Sequence, residues 1–155
     1  MPAPPRPAAD DLQRFVDAQA AVDEAVRREL RAGRKTSHWM WFVFPQLRAL
    51  GRSATAEFYG LADLAEARAF AAHALLGPRL VACARLVLAV EGRSAHQIFG
   101  SPDDLKLCSC MTLFEVAVAS EPVYAEVLER FYAGRRDPLT LAALGREAPP
   151  VQDQG

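Results

Sequence analysis

The sequence predicts an all-α fold, a single mainly helical domain of about seven helices. Three observations predict it. Helix start and stop signals recur along the whole chain. No segment shows convincing strand alternation. Hydrophobic residues make up 51% of the 155 positions, enough for a domain of this length to bury a core.

The elements follow in order. Asp10 or Asp11 is placed to cap a first helix, in which Leu12, Phe15, Val16, Gln19, Val22, Val26 and Leu30 recur at helical spacing until Gly33 ends it. Lys35 to Leu47 is apolar and aromatic without a clean period, and Pro45 interrupts it. It reads as a short buried helix or turn followed by a second turn. By residue type, Trp39 to Phe44 also suits a buried strand, but such a strand would have no partner here. Ser53 caps a short helix through Tyr59, and Asp63 caps Leu64 to His73, with Glu66 placed for a capping box. Gly77-Pro78 opens a helix that ends by Gly92, and Ser94 caps a single turn to Gly100. Ser101-Pro102-Asp103-Asp104 combines a cap, a proline and two acids that favour the helix dipole, so a helix is expected from there to about Ala119. Pro122 opens another, ended by Gly134, and Asp137-Pro138 opens a last short one, ended by Gly145. The domain is expected over 10–145, flanked by disordered tails at 1–9 and 146–155.

Composition excludes several function classes. The net charge of −1 leaves no electrostatic footprint for nucleic acid and no polybasic membrane patch. No apolar run reaches the ~18 residues that span a bilayer, and the proline-rich start has no signal-peptide core. Three cysteines cannot complete a disulfide framework, which points to the cytoplasm. Cys108 and Cys110 stand roughly 200° apart around a helix and cannot share a metal. Three histidines without ligand spacing add no metal signal. No dinucleotide fingerprint or nucleophile elbow is present, so no cofactor is named.

One bias is informative. Of 18 basic residues, 16 are Arg and two are Lys, Lys35 and Lys106. In an Ala- and Arg-rich chain a lysine that supplies only charge tends to drift to arginine. These two are therefore candidates for roles that need a compact ammonium, with chance survival as the alternative. Each lies in a cluster of polar residues that interrupts apolar sequence. The first is Lys35-Thr36-Ser37-His38-Trp39-Met40-Trp41, running on to Gln46. A histidine among aromatics tends towards neutrality and exchanges a proton near pH 7; the bland reading is a core aromatic plug. The second runs from Asp103 and Asp104 through Lys106 and Ser109 to Thr112 on an otherwise apolar helix. It reads either as a pocket wall or as close packing, with Ser109 and Thr112 bonding back to the preceding turn. Arg79 sits in a helix's first turn, where it opposes the dipole and calls for an acid or an anionic ligand.

These segments also carry a resemblance. The run Arg34-Lys35-x-Ser37-His38-Trp39-Met40-Trp41-Phe42-Val43-Phe44-Pro45-Gln46, with Leu50-Gly51-x-Ser53 and Tyr59, resembles the bacterial domain-of-unknown-function 1810 family. So do Glu66-Ala67-x-Ala69, Leu76-Gly77-x-Arg79-Leu80, Ile98-Phe99-Gly100 and Asp104-x-Lys106-x-x-Ser109-x-Met111-Thr112-Leu113-Phe114. The likeness covers nearly the whole chain outside the tails. It departs at Ala72 and Ala74, where Leu and Pro are expected, and at Cys110, where Ser is common. The resemblance implies a small, mainly helical single domain and supplies no reaction. The calpastatin-like label some members carry has no physical basis in these residues. In layout the family is faintly similar to NAD- and ADP-ribose-associated helical domains, an analogy of fold alone.

Two function classes follow. The first is an enzyme or binder for a small anionic, ring-bearing ligand, nucleotide or ADP-ribose-like, held between the Ser-His-Trp-Met-Trp segment and the Asp-x-Lys-x-x-Ser helix. Its catalytic candidates are His38 as acid or base, Lys106 and Asp104, with Asp104 or Ser37 orienting His38. Trp39 and Trp41 would stack on the ring, Lys35, Arg79 or Lys106 would neutralise the anion, and Ser37, Gln46, Ser109 and Thr112 would complete the wall. One lysine is expected near His38. The second class is a non-catalytic protein-interaction domain with the aromatic cluster as its core. Oligomeric state is open in both.

Overall fold

The computed structural model describes residues 11–146. The tails expected at 1–9 and 146–155 lie outside the described residues apart from Arg146, whose N–H donates to the Leu141 carbonyl. In chain order the elements are α1 (Gln13–Ala20), α2 (Asp23–Ala32), α3 (Met40–Val43), a 3-10 turn (Arg48–Leu50), α4 (Ala54–Phe58), α5 (Leu64–Ala72), α6 (Leu76–Leu88), α7 (Ala95–Phe99), α8 (Asp103–Ala117), α9 (Val123–Tyr132) and α10 (Pro138–Ala143). The class is all-α, as the sequence predicts. Among the described residues the sole β pairing is one isolated bridge, Leu47 to Leu61.

The core forms around α8. A helix apolar on every side belongs inside, and Leu107, Cys110, Met111, Leu113 and Phe114 are fully buried. α5, α7, α9 and α10 all pack against it. Aromatic rings chain through the interior: Phe15 meets Phe70 edge-on at 5.0 Å, and Phe70 meets Phe114 at 5.5 Å. Trp39 and Phe114 are fully buried, but Trp41 is only partly so.

Local capping works much as the sequence predicts. The side chains of Ser53, Asp63, Ser94 and Asp137 each accept a backbone N–H at the start of α4, α5, α7 and α10. The corrections come where distant partners intervene. The single first helix is two, α1 and α2, broken at Ala21–Val22. α1 packs on α3 and α2 on α6, so the two halves answer to different neighbours. With this break the described residues hold ten α-helices, against the about seven expected. Glu66 does cap α5's entry, but its Oε1 accepts from Ala62 N rather than from the Asp63 N–H a capping box would use. Ser101 makes no cap; Pro102 occupies that position. α6 begins a residue before Gly77, because His73 Nδ1 accepts the N–H groups of Leu75 and Leu76. Gly77 is required there by contact, since a Cβ would lie 2.1 Å from the Ala71 carbonyl oxygen. Among the described residues no single helix is long and apolar enough to cross a membrane.

Candidate functional site

The 34–41 segment is built on one carboxylate. Glu29, in the last turn of α2, is 5% exposed. Its Oε1 accepts Thr36 N at 2.7 Å, Ser37 N at 2.9 Å and the Trp39 indole Nε1 at 3.0 Å, and its Oε2 accepts the Ser37 hydroxyl at 2.5 Å. Burial pushes its pKa up, but the bonds from Ser37, Thr36 and Trp39 outweigh that and hold it at about 2. The Lys35 N–H donates to the Ile98 carbonyl at 2.8 Å, which ties the segment to α7.

Both lysines converge on one acid. Asp103, in the first turn of α8, meets Lys35 Nζ at 2.8 Å through Oδ2 and Lys106 Nζ at 3.8 Å through Oδ1. Each ammonium also lies over an indole, Lys35 over Trp39 at 5.1 Å and Lys106 over Trp41 at 5.4 Å. The two polar clusters of the sequence are therefore neighbours in space. The space between Trp41, Gln46 and Lys106 is nearly filled, a void of only about 10 Å³.

The room lies beside it. A groove of about 1420 Å³ opens between the 3-10 turn with α4 on one wall and α8, the end of α9 and the start of α10 on the other. Gln46, Leu50, Gly51, Ser53, Lys106 and Ser109, all residues that carry the family resemblance, line it. So do Arg52, Arg135, Arg136 and, as the sole lining acid, Asp137. Arg136 is spent on Glu115 and Glu129. Arg52 and Arg135 are exposed and form no ion pair among the described residues. Tyr132 and Phe131 give the groove its aromatic surface, and Leu105 and Leu139 stand 63% and 62% exposed on its rim.

The groove's far corner is a closed polar knot. Asp137 Oδ2 accepts the Ser109 hydroxyl at 2.8 Å and the Thr140 hydroxyl at 2.5 Å. The Asp137 N–H donates to Thr112 Oγ1, whose own hydroxyl bonds back to the Cys108 carbonyl. Burial, then the nearby Asp137 charge, pushes the Cys108 thiol up to about 11, and burial raises the Tyr132 phenol. Neither is a nucleophile or base near pH 7.

The expected site is thus partly redrawn. Gln46, Lys106 and Ser109 line the groove. Trp39 is fully buried and offers no stacking face, and Trp41 is covered by Lys106. His38 is exposed, has no side-chain hydrogen-bond or ion-pair partner among the described residues and lines neither the groove nor the small void beside it. Its expected orienting groups are engaged elsewhere, Ser37 on Glu29 and Asp104 on His96 at 3.4 Å. Arg79 bonds Gln19 at 3.3 Å, outside the groove, and Thr112 is fully buried. Glu29, Arg52, Arg135 and Tyr132 were not singled out from the sequence. Glu29 had a signal, because an acid in a helix's last turn opposes the dipole unless donors claim it. The others carry none, being ordinary surface residues until the fold gathers them.

The cysteines are all unpaired, and no group of three metal-ligating side chains occurs among the described residues.

Fold and groove together define a small all-helical domain with one wide, cation-lined groove. The chain belongs to the family described as protein of unknown function (DUF1810), whose model matches residues 9–144. It is similar to the conserved hypothetical protein Rv1873 from Mycobacterium tuberculosis, known from a crystal structure at 1.38 Å. The identity is 54% and the TM-score 0.87, over 89% of this chain and 99% of that one. No curated protein matches the chain.

Proposed function

We propose that this chain binds a small anionic, ring-bearing ligand of the nucleotide or ADP-ribose-like class in the groove beside α8, and that it does so in the cytoplasm. The carrying observation is charge. Arg52 and Arg135 face the groove with no ion pair among the described residues, and Lys106 joins them there on a loose one. Cations gathered in one groove with one lining acid attract an anion. Guanidinium forks suit phosphate oxygens in particular. Tyr132 and Phe131 supply the aromatic wall that the two tryptophans do not.

Binding is the part of this reading that the groove's charge supports. Its thiol and phenol both stay protonated near neutral pH, and His38 takes no part in its lining. Three unpaired thiols suit a reducing compartment.

A thermal-shift screen with nucleotides, ADP-ribose and sugar phosphates tests the reading, since a ligand selective for the native state raises stability by mass action. A shift of several degrees by at least one phosphate-bearing compound, absent in the Arg52→Ala/Arg135→Ala double variant, is the expected result. No shift with any of them, or an equal shift in the double variant, refutes it.

A further inference from the structure

The two lysines are held unequally, and the difference has a consequence for the groove. Lys35 is 7% exposed at its side chain, sits 2.8 Å from Asp103 and is not among the groove's lining residues. Lys106 is 24% exposed, stands 3.8 Å from the same carboxylate and lines the groove. At 3.8 Å the ammonium is beyond hydrogen-bond reach. Among the described residues it is held by attraction to Asp103 and to the Trp41 face. Asp103 has two oxygens, and Lys35 claims one closely.

We infer that Lys106 contacts the ligand alongside the groove arginines and that Lys35 is a positioning residue acting on it through Asp103, which it neutralises so that Lys106 stays available to a phosphate oxygen. This rests on the reading of the groove as an anion site and names the groups that regulate it. Without Lys35 the Asp103 carboxylate has one cation left within reach, and it draws Lys106 in from the groove. With a phosphate-bearing ligand bound, the ammonium moves the opposite way, off the Trp41 ring. The ammonium's compactness matters at the Trp41 end of its travel, because the void that Lys106 lines there with Trp41 and Gln46 is only about 10 Å³. That accounts for a lysine persisting at position 106 of an arginine-rich chain.

Calorimetric titration with pyrophosphate and with ADP tests this on the full chain, with Trp41 fluorescence as a second readout. Lys35→Gln should weaken binding roughly tenfold, the scale of one charge-assisted contact, although Lys35 does not line the groove. In a Lys106→Gln background the same substitution should change affinity by less than about twofold, because the residue through which it acts is gone. Lys35→Arg, which keeps the charge, should restore most of the affinity. Wild-type protein should change its fluorescence on ligand addition, and Trp41→Phe should bind without that change. A merely structural Lys35 would lower stability in both backgrounds alike and leave the coupling at zero. Equal losses in both backgrounds, or unaltered affinity in Lys35→Gln, overturn the inference while leaving the groove an anion site. Wild-type protein that binds neither probe removes the anion site itself, and this inference with it.

Discussion

Two polar regions of this protein lie side by side and are built on opposite terms. Around Glu29, one carboxylate receives four donors from residues 36–39, and every one of them is within 3.0 Å. In the groove, Arg52 and Arg135 have no ion-pair partner among the described residues, and Lys106 is held at 3.8 Å. The first arrangement spends its polar groups on architecture. The second leaves them facing solvent, where an added anion gains more than it displaces. A buried polar group is costly unless paired, so the closed cluster should govern stability and the open one should govern binding.

That contrast can be broken in order of expected effect. Glu29→Ala should lose about 3–5 kcal/mol in urea denaturation, because it strands several buried donors at once. If the loss is within about 0.5 kcal/mol, the range usual for surface substitutions, the cluster is not architectural. Acid titration of the wild type is next. The folded pKa of Glu29 is about 2 against an ordinary 4.5, so it is depressed. Its contribution is therefore fully present above about pH 4.5 and is lost as pH falls towards 2, roughly 3 kcal/mol in all. Glu29→Gln should show a flatter acid limb than the wild type, and identical limbs would contradict the assignment.

Smaller effects separate the corner of the groove from its open face. Asp137→Ala removes the cap of α10 together with its bonds to Ser109 and Thr140. It should cost about 1–2 kcal/mol and lower hydrogen-exchange protection in α10 before the rest of the domain. Uniform loss of protection would argue against a local tie. Arg52→Ala and Arg135→Ala should each leave stability within about 0.5 kcal/mol, as exposed substitutions do, yet weaken ADP binding several-fold. A groove arginine whose loss unfolds the protein would erase the comparison.

Much of the architecture was legible in advance, and the reason is range. Ser53, Asp63, Ser94 and Asp137 cap helices through bonds to residues two or three positions on, so their signals are local. α8 was legible because an apolar helix with acids at its start has few places to go. The break between α1 and α2 was not. Its periodic stripe runs unbroken through Val22, and only the choice of separate partners, α3 and α6, divides it. The site was legible in part: Lys106, Ser109 and Gln46 sit on the groove, while His38 and Arg79 do not. A histidine among tryptophans looks buried in sequence, yet the backbone turns its side chain out while Trp39 goes in.

By itself the sequence determined the helical class, the position of most caps, the family and the fact that two lysines stand out from sixteen arginines. Tertiary structure alone decided which polar side chains are satisfied. It set Lys35 and Lys106 on the same Asp103, spent Ser37 and Trp39 on Glu29, and left Arg52 and Arg135 lining one open groove. The physical reason is that periodicity and capping act within a turn or two of chain. Pairing between charges instead depends on distances that exist only once helices far apart in sequence have packed.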